Sequence, residues 1–313
     1  MKKIFLALSL VALCSPWIFA QKLNQSLGNV SEQTPIQHGM EFKVGSIKAR
    51  VLVYSPTTFR ITITPAAEFE RISYAVSGSP QDTKFTLYDQ NGTVEFKTDS
   101  CILSISKNPF RVKLMNTKRE VINEDEPSFG TGIIGEEICT YKKLQPGERF
   151  IGLGEKTGNL DRRGEGYTNW NTDYFGYPAN GDPLYASIPF YIGTHGTKVY
   201  GVFLDNSSKT HFNFGASNER FSSFMAEEGE MDYYLIGNTS VAGVIKSYSD
   251  LTGRMEMPSL WSIGFQQCRY SYYPESEVLT TAKTFRDKKI PADVMYFDIH
   301  YMDQYKIFTW NKE

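Results

Sequence analysis

The sequence predicts a chain of two parts: an all-β region, then the opening of a parallel β/α domain. Three observations predict it. Short alternating apolar runs broken by turn residues fill Phe42 to about Phe214, with hardly a helical stretch between them. A helical period takes over near Thr239, and a strand–helix–strand order follows Pro258. The last apolar run, ADVMYFDI, has the β-branched and aromatic content of a buried parallel strand, and it places Asp298 at its carboxyl end, where α/β barrels assemble their sites.

From the amino terminus, Lys2 and Lys3 precede the apolar run Ile4 to Leu13, and small or polar residues continue to Ala20. That order is a secretory signal peptide over residues 1–20, with cleavage after Ala20 and export to the periplasm or the medium. Leu13 is bulky where a lipoprotein needs a small residue before Cys14. Residues 21 to about 35 are polar and expected to fray. ARVLVYSPTTFRITITP holds two strands, and FTLYDQNGTVEFKT holds two more joined through Asn91-Gly92, a hairpin signal because both residues tolerate positive φ. CILSISK, FRVKLMN, KVYGVFLDNSS and THFNFG continue the pattern, which reads as a β-sandwich.

SVAGVIKSYSDLTG then predicts a helix with Ser240 as N-cap, Gly253 as stop, and Val241, Val244, Ile245, Tyr248 and Leu251 on one face. LWSIGFQQCRY reads as a strand. YPESEVLTTAKTFRDKKIP reads as a helix with Glu275 and Glu277 at its start, Arg286, Lys288 and Lys289 at its end, and Val278, Ala282 and Phe285 inward. A domain boundary is expected at about residue 256, giving 21–256 and 257–313.

The 313 residues are 41% hydrophobic and 22% charged, the balance of a folded chain, and a net charge of −2 with no long basic run excludes nucleic acid and anionic membrane as partners. No segment after the signal reaches the length of a membrane span. Cys101, Cys139 and Cys268 are odd in number and have no zinc-ligand spacing, so the core must supply the stability.

Asp298 supports two readings: a loop aspartate capping a backbone group, or an acid holding sugar hydroxyls beside the rings of Tyr296, Tyr301, Tyr305, Phe308 and Trp310. Asp298-x-His300 with Asp303 also has the residue types of a divalent-metal cluster, a weaker signal. FIGLGEKTGNLDRRGEG lacks the phosphate-loop order and reads as turns holding a long loop. The next stretch sets Trp170, Tyr174, Phe175, Tyr177 and Tyr185 among Asp173 and Asp182, a loop that plugs a hole or contacts a ligand.

Three ordered stretches resemble the retaining α-glycosidases of glycoside hydrolase family thirty-one, the α-glucosidase and α-xylosidase group. FIGLGEKTGNLDRRG with WNTDYFGY and DPLYASIPFYIG is similar to that family's substrate loop, MPSLWSIGFQQCRYSYYPESEV to its first barrel strand and helix, and IPADVMYFDIHYMDQYKIFTW to its second barrel strand. The likeness covers residues 150 to 313. It implies a galactose-mutarotase-like β-sandwich followed by the first, incomplete part of a (β/α)8 barrel. It implies that Asp298 binds the sugar being cleaved, that Ile299 lines the same pocket, that Tyr270 lies beside it, and that Asp173 reaches the substrate from the sandwich loop. His300 departs from relatives that carry a second acid.

No Asp or Glu here matches the family's nucleophile or acid/base. Both are expected beyond Glu313, which leaves no catalytic residue in this chain and the piece alone inactive. The resemblance implies a retaining enzyme that removes terminal α-linked glucose from oligosaccharides, with no cofactor and no metal. A non-catalytic secreted glycan-binding protein and a metal-dependent barrel hydrolase are the competing expectations.

Overall fold

The computed structural model describes residues 25–70 and 72–312; the signal-peptide segment lies outside them. The chain divides into two compact units, Met1–Gly253 and Arg254–Glu313.

The first unit is built from three antiparallel sheets. The largest has eight strands, in the order Arg149–Gly154, Ser187–His195, Lys198–Leu204, Met231–Asn238, Thr58–Thr64, Ile47–Ser55, Gly39–Val44 and Glu32–Ile36. A six-stranded sheet runs Gln25–Ser26, Thr131–Ile134, Glu137–Lys143, Phe221–Ala226, Thr210–Asn213, Gly166–Asn169. A five-stranded sheet runs Val121–Glu124, Phe110–Asn116, Cys101–Lys107, Thr93–Lys97, Thr86–Gln90. The Asn91-Gly92 turn closes the last hairpin with both residues at positive φ, as that two-residue connection requires.

Side chains from all three sheets meet in one core. Phe59, Ile61 and Leu235 come from the eight-stranded sheet, Phe212 and Phe224 from the six-stranded one, and Phe96, Leu103 and Leu114 from the five-stranded one. This convergence is the sandwich that the alternating runs predict. Residues 21–35 are corrected in part: Glu32–Ile36 pairs in register with Gly39–Val44, and Ser26 lies opposite Gly132. Backbone pairing along two sheet edges orders a segment whose side chains are mostly polar.

Met231–Asn238 is buried on both faces. Tyr233 and Leu235 enter the main core, while Tyr234 and Ile236 pack beneath the helix α1, Val241–Thr252. Ser240 caps α1 by accepting from Gly243 N, and Gly253 ends it at φ 94°. The face of α1 differs from expectation. Val244, Tyr248 and Leu251 meet the sheet, Tyr248 stacking on Phe190 at 4.0 Å, whereas Val241 and Ile245 are exposed. The inward stripe is centred on the i, i+4, i+7 positions, and Ser247 on its flank hydrogen-bonds Thr57 at 3.1 Å.

In the second unit, α2 spans Glu275–Asp287, with Glu275 and Glu277 in its first turn and Arg286 in its last. Val278, Ala282 and Phe285 are half-buried, and the Phe285 ring lies 5.7 Å from that of Phe265. Gln266–Gln267 pairs in parallel with Val294–Met295, the βαβ connection expected. Its first strand is shorter than expected, because Leu260–Ile263 forms a 3-10 turn. Cys101, Cys139 and Cys268 are all free thiols, and no helix among the described residues is long and apolar enough to cross a membrane.

Candidate functional site

The glycine-rich stretch ahead of the aromatic loop is an edge strand with a bulge, and no phosphate cradle. Arg149–Gly154 pairs with Ser187–His195, and the register shifts between Gly152 and Gly154. A Cβ on Gly152 would stand 2.5 Å from the Phe190 carbonyl oxygen, and Gly152, Leu153 and Gly154 all have positive φ. Only residues tolerant of that backbone bring the strand this close to its neighbour.

The bulge delivers Lys156 beneath the loop. Its fully buried ammonium donates to Asp182 at 2.6 Å and to the Thr168 carbonyl at 2.5 Å, while Thr168 N donates to the other Asp182 oxygen at 2.6 Å. Burial lowers the Lys156 pKa, opposed by the hydrogen bond and charge of Asp182. Thr172 N donates to the Leu184 carbonyl at 2.9 Å, and Ser187 N to the Asn171 side chain at 2.8 Å.

A loop so pinned at its base can hold large rings in water. Phe175 is 94% exposed, and Tyr174, Tyr177 and Tyr185 form a series of ring contacts at 6.4 and 6.3 Å. Asp173 is exposed among them, with no hydrogen bond to any described residue. Partial burial, and then the Asp173 charge, raise the Tyr185 phenol above its ordinary range. Fixed rings and a free carboxylate suit a polar ligand with apolar faces.

In the second unit, Asp298 lies just past the Val294–Met295 strand, in a turn, at φ 65°. An aspartate tolerates that conformation better than most side chains. Its carboxylate is half-buried, and no described group hydrogen-bonds to it, so the backbone-capping reading is not what the structure holds. Ile299 beside it is half-buried, and Tyr270 is largely exposed.

His300 sits among three tyrosine rings, those of Tyr270 at 5.8 Å, Tyr273 at 6.2 Å and Tyr305 at 5.8 Å, and its Nδ1 has no partner among the described residues. Ser271 Oγ donates to the Phe297 carbonyl at 3.1 Å, tying the segment after the first strand to the one that carries Asp298. The structure thus brings Tyr270, His300 and the Asp298 turn together. Asp298, His300 and Asp303 form no metal-holding group, and none of three or more His, Cys, Asp or Glu exists among the described residues.

Sequence reasoning passed over Lys156, Asn169 and Asp205. Lys156 could have been suspected as the one lysine in a glycine-rich stretch without a phosphate pattern; the other two carry no local signal.

Comparison with known proteins agrees with the sandwich and the βαβ unit in turn. The glycosyl hydrolase 31 N-terminal galactose mutarotase-like domain matches residues 48–213, and the glycosyl hydrolases family 31 TIM-barrel domain matches residues 255–313. Alpha-glucosidase 2 of Bacillus thermoamyloliquefaciens is 35% identical over 289 residues, covering 91% of this chain and 36% of the relative. An alpha-glucosidase of Saccharolobus solfataricus is 34% identical over 191 residues, covering 60% of this chain and 28% of its own length.

Among solved structures, a mutant of the Flavobacterium johnsoniae GH31 dextranase complexed with isomaltotriose superposes with a TM-score of 0.84 at 34% identity, covering 89% of this chain and 34% of that one. The chain therefore spans about a third of the length of these relatives. With one matching domain covering more than half of its residues and the next beginning where its second unit begins, the chain belongs to glycosyl hydrolase family 31.

Proposed function

We propose that this chain is the sugar-binding amino-terminal portion of an exported, retaining α-glucosidase that removes terminal α-linked glucose from oligosaccharides. The observation that carries the reading is the Asp298 carboxylate: half-buried, just past a parallel strand, free of any described partner and flanked by the Tyr270–His300 ring contact. A carboxylate in a partly desolvated position forms charge-assisted hydrogen bonds to sugar hydroxyls, and these strengthen as the ring approaches an oxocarbenium ion. Ile299 and Tyr270 supply apolar wall from the same unit. The pair of carboxyls that performs retention, about 5–5.5 Å apart in such enzymes, is contributed by a part of the whole protein outside these 313 residues.

Support for the substrate class comes from relatives named α-glucosidase and from a dextranase solved with isomaltotriose. Support for export is the charge, apolar run and small residues of the first 20 positions.

The test is made in the full-length protein that carries these residues. Asp298→Asn is expected to lower kcat/KM on maltose and isomaltose by about a hundredfold or more, and a chelator to leave activity unchanged. Wild-type rates in Asp298→Asn would remove the proposal. Mass analysis of the secreted protein is expected to find Gln21 at its amino terminus.

A further inference from the structure

The first unit contains a cavity of about 910 Å³ between the end of the Gly166–Asn169 strand, the start of Ser187–His195 and the segment after Lys198–Leu204. Its lining includes Asn169, Trp170, Ser187, Ile188, Asp205 and Glu230, and it excludes Asp173, Tyr174, Phe175 and Tyr177.

Three lining side chains hold polar atoms that no described group satisfies. Asn169 is 4% exposed, and both its amide nitrogen and its amide oxygen lack a partner. Ser187 and Asp205 are half-buried, and Ser187 Oγ and Asp205 Oδ2 are shielded and unpartnered among the described residues, although Asp205 Oδ1 accepts from Ser73 at 2.9 Å. Native interiors rarely leave such atoms unmatched. Four such atoms, on three side chains of one cavity, select a molecule with several donors and acceptors.

The charges narrow the class. Asp232 is held by Arg60, whose Nε donates to its two oxygens at 2.9 and 3.2 Å, and Glu230 accepts from Glu70 N at 3.0 Å. Glu70, Glu228 and Asp205 add further acid to the lining, so an anion is repelled. No metal-holding group exists among the described residues. The half-exposed Trp170 ring and Ile188 give one apolar wall, which suits the C–H face of a ring. Burial, with the Asp232 charge next, raises the Asp205 carboxyl, while Ser73 and Arg60 oppose it.

The geometry points to a second, non-catalytic carbohydrate site in the sandwich unit, which holds a neutral glycosyl residue against Trp170 with its hydroxyls on Asn169, Ser187 and Asp205. It stands independently of the role given to Asp298, since its lining lies wholly in the first unit.

Calorimetric titration of the 313-residue chain with isomaltotriose, maltotriose, choline and inorganic phosphate tests it. Saturable binding of a trisaccharide, and none of phosphate, is expected. Measured in the Asp298→Asn background, where sugar held by the second unit no longer contributes, Trp170→Ala and Asp205→Asn are each expected to weaken it about five- to tenfold, with unchanged urea midpoints. No trisaccharide binding, a preference for choline, loss of binding in Asp298→Asn, or indifference to both Trp170→Ala and Asp205→Asn would each overturn the assignment. Failure of Asp298→Asn to lower activity in the full-length enzyme removes the proposed function alone.

Discussion

Lys156 and Asp182 meet at 2.6 Å under the aromatic loop, the ammonium fully buried and the carboxylate also accepting Thr168 N. One ion pair therefore joins the bulged strand, the adjoining six-stranded sheet and the far end of the loop. Asp182→Ala would leave that ammonium buried without its counterion, and a loss of about 3 kcal/mol in urea unfolding is expected. The sign with pH follows from Lys156, whose pKa is already lowered by burial. A lysine depressed below its unfolded value binds fewer protons in the native state, so stability rises as pH climbs from the folded pKa toward about 10.4. Without Asp182 the depression deepens, and the deficit of Asp182→Ala is expected to shrink between pH 7 and pH 10. A deficit independent of pH would show that Lys156 is not the group responsible.

Glu148 gives the opposite slope. It is buried, accepts from Gln145 N at 2.9 Å and from Tyr200 Oη at 2.8 Å, and its pKa is raised by burial despite both bonds and the His195 charge. A carboxyl raised in the folded state holds its proton more tightly there, so stability falls as pH rises from about 4.3 through the folded pKa. Glu148→Gln keeps the shape and removes the charge. It is expected to be at least as stable as the wild type at pH 7.5 and to lose that advantage near pH 4, read from urea midpoints at the two values.

Local chemistry was legible in the sequence and long-range pairing was not. The Asn91-Gly92 turn, the Ser240 cap and the Gly253 stop each depend on backbone preferences of one or two residues, and they are found in place. LWSIGFQQ has strand-like composition, yet a strand also needs a partner, and only Gln266–Gln267 has one. The α1 stripe was misjudged because a helix period names a face without fixing its centre: Val241 and Ile245 flank the contact that Val244 and Leu251 make. For Asp298 the strand end was visible, whereas its positive φ and the three rings around His300 arise from a turn with no sequence signature. Asn169, Ser187 and Asp205 stand far apart in the chain, and only the sheets bring them to one cavity.

Gly201 shows how closely α1 lies on its sheet. A Cβ there would meet Val244 Cγ1 at 2.7 Å and the Phe190 ring at 3.0 Å. Gly201→Val should push α1 outward and cost about 1–3 kcal/mol, with faster hydrogen exchange along Val241–Thr252. An unchanged melting temperature would mean the helix shifts freely, contrary to the stacked Phe190–Tyr248 pair at 4.0 Å.

In the pair Lys142–Asp125 both charges lie inside the sandwich, each side chain 1% exposed and the two 2.7 Å apart. Asp125 also accepts Val112 N at 2.8 Å, and Lys142 reaches Tyr233 Oη at 3.4 Å. The Asp125–Lys142 backbone bridge joins the segment after the five-stranded sheet to the six-stranded sheet. Removing one partner strands the other in the core. Asp125→Leu and Lys142→Met are each expected to lose about 3–5 kcal/mol. Lys142→Met with Asp125→Leu removes both charges and fills the space, but leaves Val112 N unmatched, a cost of about 1–3 kcal/mol. The double variant should therefore be more stable than either single one. A thermodynamic cycle over the four proteins reads this directly, and additive losses would mean the two charges do not interact in the folded sandwich.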